Sequence, residues 1–63
     1  MEMKKFRIKF KHWKDENREI VEVGTMPDVL NNPMSEKFVL QTDRGDFVDI
    51  RKSTVVEGPT LVD

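Results

Sequence analysis

Residues 37–57, KFVLQTDRGDFVDIRKSTVVE, alternate apolar and polar positions, break, and resume. The pattern predicts a β-hairpin, a tight corner and a short last strand. Asp43-Arg44-Gly45 stands between two β-prone runs, and a three-residue loop with Gly in the left-handed position is a common hairpin closure. Closing the loop there sets Thr42 opposite Asp46, Leu40 opposite Val48 and Phe38 opposite Ile50. Opposed residues share a face, so Phe38, Leu40, Val48 and Ile50 form one apolar face. Lys37, Val39, Gln41, Phe47, Asp49 and Arg51 form the other, mostly polar one. A slip of one residue would scatter the apolar set over both faces, which specifies this register.

Residues 4–13 alternate just as cleanly. Phe6, Ile8 and Phe10 fall on one face and Lys5, Arg7, Lys9 and Lys11 on the other, as in a half-buried strand. His12 follows on the Phe face and Trp13 on the Lys face. Residues 14–17 read as a polar turn and 18–23 as a second strand with Val21 and Val23 inward. Pairing Phe10 with Val21 and Ile8 with Val23 places Lys9 opposite Glu22 and leaves Ile20 on the wet face.

The pattern breaks over residues 24–36, where Pro27, Asn31-Asn32 and Pro33 supply turn chemistry. Pro27-Asp28-Val29-Leu30 is a candidate single helical turn. Met26, Val29, Leu30 and Met34 have two readings: a plug for one open end of the core, or a binding loop with apolar tips. Past residue 51 the corner Arg51-Lys52-Ser53-Thr54 precedes a three-residue strand, Val55-Val56-Glu57, which Gly58-Pro59 is expected to stop. Residues 1–3 and 58–63 are expected to be flexible, with 60–63 able to add as an edge strand to a neighbour.

A strand, a one-turn corner and a three-residue strand is the ending of small SH3-like and Sm-like barrels. Ile50-Arg-Lys-Ser-Thr-Val-Val-Glu57 resembles the closing segment of bacterial Sm-like RNA chaperones, over roughly the last third of the chain. The family's amino-terminal helix, its Asp/Asn signature and its Tyr-Lys-His ahead of the corner have no counterpart here. What the resemblance implies is therefore an architecture. The expected fold is all-β: a small five-stranded SH3-like or Sm-like barrel, with two antiparallel hairpins plus a short closing strand. An open sheet completed by dimerisation is the alternative.

Length and composition narrow the rest. Sixty-three residues make one domain, and a chain of that size buries only about 60% of its unfolded surface. With no cysteine, no disulfide or thiolate metal site can help it. Stability must come from a compact core, from oligomerisation or from a partner. No apolar run approaches the roughly 18 residues of a membrane span and no signal peptide is read, so a cytoplasmic protein is expected. The net charge of −1 is unevenly spread: residues 1–14 carry +5 and residues 15–63 carry −6.

Candidate chemistry is sparse. The chain has one His, no Cys and no Tyr, and no Ser–His spacing suggests a nucleophile. Asp43, Asp46 and Asp49 lack calcium-loop spacing and read as a solvated face. His12 beside Asp15 and Glu16 reads as structural. Neither catalytic residues, nor a metal, nor a cofactor is expected.

Three functions stay open. The first is a non-enzymatic protein-binding or regulatory module, an adaptor or inhibitor like small phage or mobile-element regulators, touching its partner through Trp13, Met26, Val29, Leu30 and Phe47. The second is a nucleic-acid binder using the basic strand: Lys5, Arg7, Lys9 and Lys11 would recur about every 6.6 Å, with Trp13 stacking a base. Against it stands pairing of those lysines with Glu19 and Glu22, with lysine stems covering Trp13. The third is a homo-oligomer that sequesters a small anionic ligand between subunits.

Overall fold

A computed structural model describes residues 4–62; the expectations for residues 1–3 and for Asp63 lie outside the described residues. Five strands form one antiparallel sheet: β1 (Lys5–Lys11), β2 (Glu19–Thr25), β3 (Lys37–Gln41), β4 (Phe47–Arg51) and β5 (Val55–Val62). Their spatial order is β4-β3-β2-β1-β5. Single 3-10 turns, Asp28–Leu30 and Lys52–Thr54, precede β3 and β5, and no α-helix occurs among the described residues. The protein is all-β, and β1–β2 and β3–β4 are both antiparallel hairpins. The sheet does not close: β4 and β5 are its free edges.

The β3–β4 hairpin has the expected register, with Phe38 opposite Ile50 and Leu40 opposite Val48. Thr42 donates its N–H to the Asp46 carbonyl (2.8 Å), and Gly45 donates its own to the Thr42 carbonyl (2.9 Å). Gly45 takes φ 89°, a conformation that a Cβ disfavours. Leu40 and Ile50 are buried with Ile8 of β1, and Phe10, Met26, Phe38, Val48 and Val55 pack around them.

The first hairpin is one residue out of the expected register. Phe10 faces Ile20, Ile8 faces Glu22 and Lys9 faces Val21. Ile20 therefore turns inward, while Val21 and Val23 face outward, contrary to expectation. Local polar bonds in the turn fix this. His12 donates its N–H to the Arg18 carbonyl (2.8 Å) and Arg18 donates to the Asp15 carbonyl (3.0 Å). The Asn17 N–H is held by the Asp15 carboxylate (3.0 Å). Closure from His12 to Arg18 dictates Lys11 opposite Glu19 and every pair beyond it.

The last strand is also corrected. It is not a three-residue strand stopped at Gly58-Pro59 but runs from Val55 to Val62 along β1. The pairing passes from Lys9↔Glu57 to Arg7↔Thr60, so Gly58 and Pro59 fall within an irregularity. An edge strand accepts proline at a bulge, where no ladder N–H is needed. Gly58 has φ 93°, and a Cβ there would collide with the Arg7 carbonyl oxygen.

Candidate functional site

Alternation gives the sheet an inner face around Ile8, Leu40 and Ile50 and an outer face open to solvent. Lys5, Arg7, Lys9 and Lys11 all lie on the outer face of β1, opposite Thr25, Val23, Val21 and Glu19. Two of these cations are matched. Lys5 meets Asp43 at 2.8 Å, tying β1 to the β3–β4 turn, and Lys9 meets Glu19 at 3.2 Å. The expected partner Glu22 is on the inner face opposite Ile8 and takes no part. Arg7 and Lys11 have no carboxylate within 4 Å among the described residues.

Val21 and Val23 stand in this basic surround, 52% and 39% exposed. On β5, Thr60 and Val62 continue the outer face beyond Arg7 and Lys5. In the other direction, Thr25 pairs with Gln41, the single rung between β2 and β3. Gln41 faces Phe47, so Phe47 also belongs to the outer face.

The five residues expected to make one protein contact do not form one surface. Met26 packs on the core, whereas Val29 (91% exposed), Leu30 and Phe47 are open to solvent. Of the four residues with two readings, Met26 alone packs on the core, and Met34 is exposed as well. Trp13 follows the far end of β1 from Lys5, and Lys5 reaches Asp43 beside the Phe47 end of β4. Trp13 and Phe47 therefore lie towards opposite ends of the sheet.

Trp13 instead borders a groove of about 490 Å³ between the β1–β2 turn, the ends of β3 and β4 nearest it, and the Lys52–Thr54 turn. Phe10, Ile20 and Ile50 give it an apolar side, and Lys11, Lys37 and Arg51 contribute cations. Trp13 itself is 78% exposed. His12 stacks beside it at 5.9 Å between ring centres, and the Lys14 ammonium lies 4.6 Å over the indole. Lys37 and Arg51 are direct cross-strand partners. Their pairing is implicit in the hairpin register, because Phe38 opposite Ile50 requires Lys37 opposite Arg51. Their proximity to Trp13 is a tertiary fact that no local pattern carries.

On these features the chain is a small all-β protein with an open five-stranded sheet, a basic and apolar outer face and a cationic groove beside an exposed indole. No helix among the described residues is long and apolar enough to cross a membrane. No protein-family model matches the chain, and no curated protein or solved structure matches it either.

Proposed function

We propose that the chain is a non-enzymatic protein-binding module of the adaptor or inhibitor kind, built on an open SH3-like or Sm-like barrel. The position of Val21 and Val23 carries the reading. Two β-branched side chains sit on the solvent face of an inner strand, where they add nothing to the core. Covering them would recover about 1 kcal/mol each, at ~25 cal/mol per Å² of apolar surface. Arg7 and Lys11 beside them favour a partner that carries carboxylates around an apolar patch. Phe47 extends the same face across the Thr25–Gln41 rung. The barrel assignment rests on strand order and on the 3-10 turn that leads β4 into β5.

The test compares the full chain with V21T/V23T, which keeps branching and volume while removing apolar surface. A specific partner retained by the wild type, released by salt and lost with the folded double variant is the expected result. Equal retention by the variant would overturn the assignment of this face.

A further inference from the structure

Lys37 and Arg51 oppose each other on one rung of the β3–β4 hairpin. Directly opposed like charges destabilise an antiparallel pair. Among the described residues neither has a carboxylate within 4 Å to relieve the repulsion. Lys11 borders the same groove, which thus gathers three cations against the single carboxylate of Asp49. It does so on a chain whose net charge is −1. The unmet charge is local, and an anion seated between the strand ends would convert repulsion into attraction.

We propose that this groove binds a nucleotide unit, with the phosphate on Lys37, Arg51 and Lys11 and the base against Trp13. The guanidinium fork of Arg51 suits phosphate geometry, and the two ammonium groups add charge without demanding direction. Trp13 is 78% exposed at the groove's border, with His12 stacked at 5.9 Å between ring centres. The Lys14 ammonium over the ring is an exposed contact, and base stacking is worth more than such a contact. The groove, about 490 Å³, falls within the range of small-ligand sites. An acidic peptide could use the cations but would leave the indole idle, which is why a nucleotide is favoured. The site differs from the one alternation alone suggests along β1, where Lys5 and Lys9 are already held by carboxylates.

The phosphate and base could come from a free nucleotide or from a single strand. The full chain is therefore titrated with a nucleoside monophosphate, a short single-stranded oligonucleotide and an oligoglutamate peptide. Trp13 emission reports stacking, since it is the only tryptophan, and anisotropy of labelled ligands reports binding. At low salt the oligonucleotide is expected to quench Trp13, with a log–log salt slope of about −0.7 for the one phosphate neutralised in the groove. Lys37→Gln and Arg51→Gln should each weaken binding about tenfold and flatten the salt slope. Neither should lower the thermal midpoint, whereas a purely structural role for the pair would. Equal affinity of the monophosphate identifies a free nucleotide as the ligand; tighter oligonucleotide binding identifies a single strand. The proposal is overturned by no binding at low salt, by binding that leaves Trp13 emission unchanged, by indifference to both substitutions, or by oligoglutamate binding as tightly.

Discussion

The Asn31 side chain is bonded to the Val39 backbone in both directions. Its Nδ2 donates to the Val39 carbonyl at 2.9 Å, and its Oδ1 accepts the Val39 N–H at 2.8 Å. The same Nδ2 also reaches the Pro27 carbonyl at 2.9 Å. A side-chain amide thus replaces a strand along the part of β3 that β2 does not reach. It fastens the turn bearing Val29 and Leu30 to the sheet. Asn31→Ala should lower stability by about 1–3 kcal/mol, the range for stranding partly buried backbone groups. Asn31→Asp should cost more, since a carboxylate cannot donate to either carbonyl. Equilibrium denaturation of both variants checks the ranking, and an unchanged midpoint for Asn31→Ala would refute the fastening role.

Two glycines with similar positive φ should respond differently to the same substitution. At Gly45 an added Cβ meets nothing within 4 Å, so Gly45→Ala carries only the conformational cost, about 1–2 kcal/mol. At Gly58 the Cβ meets the Arg7 carbonyl oxygen as well, so Gly58→Ala must also push β5 away from β1. Gly58→Ala should be clearly the more destabilising in urea unfolding. Equal midpoints would mean that the β1–β5 contact yields freely.

The core is small enough for one deletion to dominate. Only Ile8, Leu40 and Ile50 are buried hydrophobics among the described residues. Leu40→Ala should cost about 2–5 kcal/mol through lost transfer energy and the cavity left behind. A domain of this length has only some 3–9 kcal/mol in total at ~0.05–0.15 kcal/mol per residue. The variant is therefore expected to be largely unfolded at 37 °C, as circular dichroism would register; a native spectrum there would contradict it.

Thr42, next to the hairpin turn, carries a buried hydroxyl with no hydrogen-bond partner among the described residues. Thr42→Val keeps the shape and removes the stranded group, so stability should hold or rise by about 0.5–1 kcal/mol. A loss above about 1 kcal/mol would show that the hydroxyl does find a partner.

What could be read from the chain depended on whether a local residue pinned each register. Gly45 pinned the second hairpin, and alternation on both sides of it agreed with only one pairing. The first hairpin had no such pin. Ile20, Val21 and Val23 offer apolar residues to either face, and the choice was made by hydrogen bonds among His12, Asp15, Asn17 and Arg18. Gly58-Pro59 reads as a stop because proline lacks an N–H, yet an edge strand at a bulge asks for none. Charge alternation revealed the basic face of β1 but not that Asp43, far along the chain, neutralises Lys5. Trp13 was legible as an exposed aromatic, whereas its proximity to Lys37 and Arg51 needed the folded sheet.

Thr25–Gln41 is the lone rung between β2 and β3. The molecule is two leaves sharing a narrow hinge, pressed together by the packing of Ile8 against Leu40 and Ile50 rather than laced along a seam. Amide deuteration should accordingly sort the strands into two families, β3 with β4 and β1 with β2 and β5, and thinning the shared core should let each leaf exchange at its own pace.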